Sequence, residues 1–424
     1  MIRNKCMVCK SKLESDVIIV GDQFPSAIFA NRNENYSQAI AKSSLNLARC
    51  SNNSCSLVQL STDYDLDVVF QNYPYVSGTT ATMKSILKDV VEEGLSVSRP
   101  KDDDVVLDIG GNDGTMLSYI DQKLGHKVNI DAAHGIGSVD ISGNYTKLES
   151  LFNKEAYESL GIKKPKLIFS VAMFYHLNNP LDFCNDMSAI MDDESVWVVQ
   201  MTYLGSMLRA NIYDNILHEH KTYYSIYSLE YLLKQCGLHI CGAKVVDSYG
   251  GSIRVYVKKV QDKIITNGLY DKYIALKDSE EKDLINKEIS LILFNERMQL
   301  LKECSSNLIG HIVEKEGKIH AIGASTKGNM ICQFAELNNE LIECVLDNNE
   351  KKIGKIMTGS DIPIVNEDEW INNLTKYILV LPYYYLTFFS EMLKKHIRIG
   401  ESKYLVTLLP IPKLIKVEGT KKDG

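Results

Sequence analysis

The chain lacks any apolar run that approaches the roughly 20 residues of a membrane-spanning helix. Its start, residues 1–10, is short, charged and cysteine-bearing, so the apolar stretch of a secretory signal peptide is missing as well. These two absences predict a soluble, cytoplasmic protein with no membrane partner.

An excess of positive charge is also missing. Lys and Arg number 47 against 54 Asp and Glu, which leaves a net charge of −7. Such a surface does not attract phosphate backbones, so we expect no nucleic-acid partner, although a local pocket for one small anion is compatible with it. The chain has no short-period repeat and no low-complexity tract, and its 424 residues suffice for two or three globular domains.

The ten cysteines do not form a disulfide pattern. Six are scattered among apolar neighbours and are expected to be small buried side chains. The other four, Cys6-x2-Cys9 and Cys50-x4-Cys55, supply the soft ligands that tetrahedral zinc prefers, and four thiolates leave no open position, which predicts a structural site. The alternative is that these are unrelated free cysteines, since the x4 spacing is looser than the usual x2.

Beyond residue 80, apolar strands alternate with helix-like segments, a pattern typical of a parallel, doubly wound sheet. Helices are predicted from Thr80 to Leu95 and from Thr115 to Leu124, and a long amphipathic helix within 280–315. The predicted strands are Val105–Ile109, Val128–Ile130, Lys166–Ser170, Val196–Gln200, Ile253–Val257, His320–Gly323, Leu341–Leu346 and Tyr377–Leu381.

A glycine-rich loop follows the first of these strands. Glycines at this point let a ligand approach the backbone at the carboxyl edge of the sheet, and Asp131, at the end of the next strand, can accept both hydroxyls of a ribose. The acidic loop disfavours a pyrophosphate and suits the cationic S-adenosylmethionine, so a methyl donor is favoured over NAD. The residues predicted to bind it here are Asp108, Gly110, Asn112, Asp113, Gly114 and Asp131.

Two histidine sites lie near the same edge. His218-Glu219-His220 has no second histidine at the spacing of a His-Glu-x-x-His zinc helix, so a general base oriented by a carboxylate is the preferred interpretation. A hydrogen-bonded structural pair is the alternative. His176 follows the strand Lys166–Ser170 at the carboxyl edge, and it too could be a core histidine.

These motifs, taken in order, resemble the three-domain sugar-nucleotide C-methyltransferases that build methyl-branched deoxysugars. The likeness covers nearly the whole chain. The matching stretches are Cys6-x2-Cys9, Cys55-Ser-Leu-Val-Gln-Leu, Tyr73-Pro-Tyr75-Val-Ser77, Asp108–Gly114, Tyr213-Asp214 to His220, Gly250-Gly-Ser-Ile-Arg254, Gly323–Asn329, Asp347 and Ile362-Pro363.

The resemblance implies a division of labour between three domains. Residues 1–70 would form the zinc-binding module, 71–280 a Rossmann-like methyltransferase domain, and 281–424 a helical connector with a second Rossmann-like α/β domain that holds a nucleotide sugar. The implied base is His220, with Glu219, His176 and Tyr75 also in the active site. Ser77 is assigned to the donor site, and the implied substrate-binding residues are Tyr249, Arg254, Lys327 and Asn329.

The implied reaction is removal of a proton beside a keto group, followed by methyl transfer to that carbon. Two departures keep the atom that is methylated open: Leu217 replaces the tyrosine usual before His-Glu-His, and Tyr249 replaces the histidine usual before Gly-Gly-Ser. Sugar O-methylation by the same base is therefore the alternative.

Two alternative interpretations place the protein in other functional classes. The Gly-x4-Gly spacing of Gly323–Gly328 suggests an NAD-dependent oxidoreductase, although it lacks the full dinucleotide fingerprint. The other is a binding protein for nucleotide sugars without catalytic activity. The oligomeric state is expected to be a monomer or a small homo-oligomer.

Overall fold

A computed structural model of the protein describes residues 2–64, 76–133, 137–260 and 268–420. Tyr75, one of the predicted active-site residues, lies outside these ranges. None of the helices in the described part is long and apolar enough to cross a membrane.

The N-terminal residues form short antiparallel strands around the cysteine pairs. β1 is paired with β5, and β5 with β6, while β2 and β4 form a separate two-stranded ribbon. The elements are β1 Leu13–Ile18, β2 Asp22–Gln23, β3 Phe29–Asn31, α1 Tyr36–Ala39, β4 Ser43–Ser44, β5 Leu47–Cys50 and β6 Val58–Leu60.

The middle of the chain builds a seven-stranded sheet in the order β13-β14-β11-β10-β7-β8-β9. The five strands from β9 to β11 are parallel, and β14 is inserted antiparallel between β11 and β13. Its strands are β7 Val105–Ile109, β8 His126–Asp131, β9 Tyr145–Glu149, β10 Leu167–Val171, β11 Val196–Thr202, β13 His239–Val246 and β14 Ser252–Lys258. The short β12 Thr222–Tyr223 belongs instead to the N-terminal sheet.

Helices cover both faces of this sheet, which is why its inner strands are mainly apolar. In the first helix the side chain of Thr80 caps the N-terminus by accepting from the Met83 amide, and Gly94 allows close packing, since a Cβ there would lie 2.6 Å from the Phe169 ring. The helices are α2 Ala81–Ser98, α3 Lys154–Glu158, α4 Pro180–Ile190, α5 Leu204–Arg209, α6 Ile226–Gln235 and α7 Leu269–Lys282.

A helix of 29 residues, α8 Glu288–Glu316, leads to the C-terminal sheet. Its eight strands have the order β21-β20-β19-β15-β16-β18-β17-β3, in which β18, β16, β15, β19 and β20 are parallel. The elements are β15 Ile319–Ile322, α9 Thr326–Phe334, β16 Ile342–Asp347, β17 Lys355–Met357, β18 Ile362–Asn366, α10 Glu367–Trp370, β19 Tyr377–Val380, α11 Leu386–Lys394, β20 Ser402–Thr407 and β21 Lys413–Glu418.

Both large sheets are doubly wound, so the predicted Rossmann-like α/β fold class is confirmed. The predicted helix from Thr115 to Leu124 is wrong, because the structure has only a 3-10 turn at Leu117–Tyr119 there. The connector was predicted as one helix, but it is interrupted, since α7 ends at Lys282 and the next helix begins at Glu288.

The three parts of the chain exchange strands. β3 from the N-terminal part pairs with β17 at the edge of the C-terminal sheet, and β12 from the middle part pairs with β6 of the N-terminal sheet. The predicted domain boundaries at 70 and 280 stay a prediction, since these pairings cross them.

Candidate active site

The turn after β7 gathers carboxylates at the carboxyl edge of the middle sheet. Gly110 has φ +74°, which favours glycine, and a Cβ there would lie 3.0 Å from the Met173 side chain. At the next position, Gly111, a Cβ would lie 2.5 Å from the Asp108 carboxylate. The backbone therefore passes close to the strand end, as a ligand-binding turn requires.

Asp131, at the end of β8, holds this turn in place. One of its carboxylate oxygens accepts from the Asn112 amide at 2.7 Å, and the other accepts from the Ala133 amide at 2.7 Å. The carboxylate is only half-buried, so lone pairs on it remain for a ligand that approaches from outside.

A short turn, Ser77–Thr79, lies over the glycine-rich loop. The Ser77 amide donates to the Asn112 side chain at 3.0 Å, and the Gly78 amide donates to Asp113 at 3.0 Å. Through these bonds the segment before α2 is fixed on the loop, and the structure brings Ser77 to the other predicted donor-site residues.

The burial and charge of the Asp108 carboxyl indicate which kind of ligand this loop can bind. Its side chain is buried, and within the described ranges one of its oxygens has no hydrogen-bond partner. Burial, together with the charges of Asp131 and Asp113, raises the pKa of the Asp108 carboxyl well above its usual range. A cation bound here would relieve this repulsion, whereas a diphosphate would increase it. The residues present thus fit the positively charged amino group and sulfonium of S-adenosylmethionine.

The second cluster is centred on the His220 imidazole. Its Nδ1 lies 2.8 Å from the Asn215 carbonyl oxygen. Since a carbonyl can only accept, Nδ1 carries the hydrogen and Nε2 keeps its lone pair in the neutral ring. Burial lowers the pKa of His220 well below its usual range, and the nearby His176 and Lys327 lower it further. The ring is therefore a neutral base near pH 7.

The 3-10 turn Phe174–His176, after β10, brings two further rings to His220. The Tyr175 ring centroid lies 4.3 Å from that of His220, and the His176 ring is stacked on His220 at 5.5 Å. Burial lowers the pKa of His176 to about 3, so it is also neutral. The Lys221 amide donates to the Tyr175 carbonyl at 2.9 Å and ties the two loops together.

Around His220, several buried polar atoms have no hydrogen-bond partner among the described residues. Burial raises the pKa of Glu219 to about 7, so this carboxyl is partly protonated at neutral pH. His218 is instead packed edge-on against Tyr64 at 4.9 Å, on the side of the N-terminal module. The buried atoms that have no hydrogen-bond partner in the described part of the chain include Tyr213 Oη, Asp214 Oδ2, Asn215 Oδ1 and Glu219 Oε2.

The C-terminal domain closes this cluster with one lysine. Lys327, in the first turn of α9, donates to the Tyr249 carbonyl at 2.9 Å and lies over the Tyr249 and Tyr384 rings. Tyr249 has φ +52° and precedes two glycines that also have positive φ. Residues other than glycine that are held at such positive φ values commonly mark functional turns. Tyr383 donates to Asp214 at 3.4 Å from the same side.

Two of the predicted substrate-binding residues are not brought to this cluster. Arg254 is buried between β14 and α2, where its guanidinium bonds Gln200 and pairs with Asp89 and Glu93. The Asn329 amide donates to the Ser26 carbonyl at 3.1 Å. Both side chains join parts of the fold, while Asn329 Oδ1 is buried without a hydrogen-bond partner among the described residues, so the substrate roles predicted for the two residues stay predictions.

The four N-terminal cysteines converge as the spacing predicts. All four sulfur atoms lie within 4.8 Å of one another, with Cys6 and Cys55 at 3.8 Å and Cys9 and Cys50 at 3.3 Å. Zinc–sulfur bonds of about 2.3 Å place tetrahedral sulfurs about 3.8 Å apart, so the group fits one zinc ion. Hydrogen bonding from Cys55 lowers the pKa of Cys6 to about 5, so a first thiolate forms readily.

The comparisons with known proteins agree with this arrangement. A family model described as a methyltransferase domain matches residues 81–241, and one described as a C-methyltransferase C-terminal domain matches residues 247–410. The C-methyltransferase NovU of Streptomyces niveus is 24% identical over 370 residues, which cover 86% of each chain.

Solved structures match less than half of the chain. The plantazolicin methyltransferase BpumL in complex with SAH is 14% identical, with a TM-score of 0.32, over 41% of this chain and 84% of its own. The magnesium protoporphyrin IX methyltransferase ChlM of Synechocystis PCC 6803 with bound SAM is 10% identical, with a TM-score of 0.31, over 42% of this chain and 79% of its own.

The doubly wound sheet, its acidic glycine-rich turn and the match over residues 81–241 define an S-adenosylmethionine-dependent methyltransferase. With the second match, over residues 247–410, and the likeness to NovU over 86% of the chain, the chain is similar to C-methyltransferases over most of its length. The resemblance drawn from the sequence motifs is thereby confirmed, and the oxidoreductase reading is set aside.

Sequence reasoning did not single out several residues of the cluster. Asp214 and Asn215 stood only inside a matching stretch, and Tyr175 only beside His176. Tyr383 and Tyr384 were not considered, although a run of three tyrosines directly after a buried strand, at the carboxyl edge of the C-terminal sheet, is a signal that could have found them.

Proposed function

We propose that the enzyme methylates a nucleotide-linked keto sugar at the carbon beside its carbonyl group. The observation that carries this proposal is the bond from His220 Nδ1 to the Asn215 carbonyl, which leaves a neutral Nε2 in a buried site. A base for a carbon acid needs these two properties, an available lone pair and little competing water.

In this proposal the chain's own residues handle the proton. Nε2 of His220 removes it from the carbon, and the electron pair moves to the carbonyl oxygen as an enolate. His176 is a candidate donor to that oxygen, because a neutral imidazole on the carboxyl edge can donate one hydrogen bond. Glu219, next to His220 in the chain, would influence the electrostatic environment of this base. The role predicted for Tyr75 stays a prediction on a residue outside the described ranges.

The methyl donor is assigned to the loop after β7. Asp108, Asn112 and Asp113 with the turning Gly110 and Gly114 would hold its amino acid part, while Asp131 would accept from the ribose and Ser77 would close the loop. S-adenosylmethionine supplies an electrophilic methyl group when it is bound. The bonds that fix the loop before any ligand arrives support this assignment, since a preorganised site loses less entropy on binding.

Two further assignments complete the proposal. Zinc bound by Cys6, Cys9, Cys50 and Cys55 would be structural, because four thiolates leave no position for a substrate. The nucleotide sugar would lie between the middle and C-terminal parts, where Tyr249 and Lys327 meet. We retain the predictions that the protein acts in the cytoplasm and is a monomer or a small homo-oligomer.

The test is product analysis with candidate keto sugar nucleotides and S-adenosylmethionine. Mass spectrometry should find a gain of one methylene, and NMR should place the methyl group on carbon. In deuterated water the hydrogen beside the ketone should exchange, even without the methyl donor, because enolisation precedes methyl transfer.

His220→Gln should lose exchange and methylation together, by a factor of about 100 to 10,000, the usual contribution of a general base. Glu219→Gln should reduce both by less. A methoxy product without exchange in the ring would replace the proposal by O-methylation, to which Leu217 gives some weight because it supplies no donor near the base.

A further inference from the structure

Lys327 is a buried cation that the proposed mechanism has not used. It is 9% exposed, and its ammonium group donates to the Tyr249 carbonyl at 2.9 Å. An ammonium group has three donors. Among the described residues no second acceptor lies within hydrogen-bond distance of it, so two of its donors are available to a ligand.

Packing places Lys327 near the reaction centre, because its helix α9 contacts the 3-10 turn Tyr213–Asn215, and the Asn215 carbonyl holds His220. The positive charge of Lys327 lowers the pKa of His220, and the negative charge of Asp214 favours the charged form of Lys327. Asp214 is fully buried, and its Oδ2 has no hydrogen-bond partner in the part of the chain that the structure describes. The two side chains form no direct ion pair there, so the ammonium group is not neutralised by a bonded carboxylate.

A second lysine of the same domain, Lys352, is half-buried and shows the contrast. Lys352 donates to the Ala324 carbonyl at 2.7 Å, lies over the Phe29 ring at 5.1 Å and pairs with Asp347 at 3.9 Å. Its charge is thus neutralised by its own domain. Lys327 has the same carbonyl and ring contacts but keeps its carboxylate partner at a distance, across the domain boundary.

We propose that Lys327 donates a hydrogen bond to the carbonyl oxygen of the sugar and stabilises the enolate that His220 generates. This inference rests on the proposed function. In the step, the carbon–hydrogen bond breaks, the proton passes to His220 Nε2, and the electron pair reaches the oxygen, which Lys327 binds without giving up its proton. Asp214 is a positioning residue that keeps the lysine charged. The C-terminal domain thereby supplies a catalytic residue and not only a place for the nucleotide.

The inference also explains why the lysine is buried. A hydrogen bond from an ammonium group to a developing oxyanion is strong only where water is excluded. A lysine that served the diphosphate of the nucleotide would need access to a solvated, doubly charged group. Burial lowers the pKa of Lys327 below its usual range, while Asp214 opposes that shift. The ionisable groups that face it are Asp214, His220, Tyr249 and Tyr384, and Tyr383 donates to Asp214.

Solvent exchange tests the step apart from methyl transfer. The probes are the 4-keto-6-deoxyhexoses linked to thymidine, uridine, cytidine or guanosine diphosphate, and the one that the wild type exchanges fastest in deuterated water is used throughout. Lys327→Met should slow exchange about 100-fold, the usual effect of losing an oxyanion donor, while the dissociation constant of the probe changes much less. Lys352→Met is the matched control and should exchange at the wild-type rate.

The pH profile separates catalysis from a structural role. Exchange by the wild type should fall at alkaline pH as Lys327 loses its proton, and Lys327→Arg, slower but permanently charged, should lack that alkaline limb. Unfolding curves and donor binding show whether each variant is folded, and if Lys327→Met is not, the Lys327→Arg profile decides.

Exchange by folded Lys327→Met within about threefold of the wild type would overturn the inference, as would an unchanged alkaline limb in Lys327→Arg. Failure of the proposed function has a different signature: the wild type itself exchanges none of the four probes.

Discussion

At the scale of single residues, Asp131 combines two tasks. Its carboxylate accepts the amides of Asn112 and Ala133, each at 2.7 Å, and in our assignment it also accepts from the donor's ribose. The first task shapes the loop, and the second binds the ligand. Removing the side chain therefore weakens donor binding through both routes.

We expect Asp131→Ala to weaken S-adenosylmethionine binding by about 1.5–3 kcal/mol, roughly ten- to 150-fold, as hydrogen bonds to a charged group are worth. Isothermal titration calorimetry measures this directly. Glu149→Ala is the control, since Glu149 is the cross-strand neighbour of Asp131 on β9 and lies outside the assigned site. Equal affinities for wild type and Asp131→Ala would move the donor elsewhere.

At the scale of elements, the cysteine cluster links the N-terminal strands to α6. Cys6, Cys50 and Cys55 belong to the same buried core as Leu229 and Leu233 of that helix. The side chain of Asn52 also donates to Tyr231 at 3.4 Å. Short strands of this size bury too little apolar surface to be stable alone, so the metal is expected to contribute much of their folding energy.

Protein purified without added metal should contain one zinc per chain, measured by metal analysis. Cys9→Ser should lose the metal and become poorly soluble, because the strands and the face of α6 beneath them would be exposed. Cys304→Ser, at an exposed cysteine on α8, should keep both zinc and solubility. A wild-type protein that is fully folded without metal would contradict the assignment.

At the scale of the whole molecule, the three parts share one hydrophobic core. Tyr213 from the middle part packs against Phe334 of α9 with ring centroids 4.9 Å apart, and Phe29 and Leu45 from the N-terminal part belong to the same cluster. The C-terminal sheet also takes β3 from the start of the chain. The domains are thus expected to fold as one unit.

Deletion of the chain from Lys318 onward should therefore expose this core and give an aggregating protein without a cooperative unfolding transition. The stabilising free energy lost with so many large buried contacts far exceeds the usual free energy of unfolding of a domain, about 5–15 kcal/mol. Circular dichroism and size-exclusion chromatography of the truncated chain provide the measurement. A soluble truncated protein that binds S-adenosylmethionine like the wild type would show that the middle part folds independently.

The sequence by itself determined the features that depend on local pattern. Apolar runs followed by glycine predicted the strands and the loop after Val105–Ile109, because a turn at a sheet edge requires both. Two pairs of closely spaced cysteines predicted a metal site, since cysteine is a rare residue and its thiolate is a preferred zinc ligand. The helix at Thr115–Leu124 was wrong because packing, and not periodicity, decides whether a short amphipathic stretch becomes a helix.

Only the tertiary structure decided which distant residues meet. Arg254 lay in a matching stretch, yet its guanidinium is used by Asp89 and Glu93 of α2, more than 150 positions away in the chain, as the fold places β14 beneath that helix. The carbonyl oxygen of Asn215 accepts from His220 Nδ1 and thereby fixes the tautomer of that ring. The role of Lys327 depends on α9, which brings this lysine to the Tyr249 carbonyl and near Asp214. No pattern along the chain encodes such contacts, because they arise from the packing of separate elements.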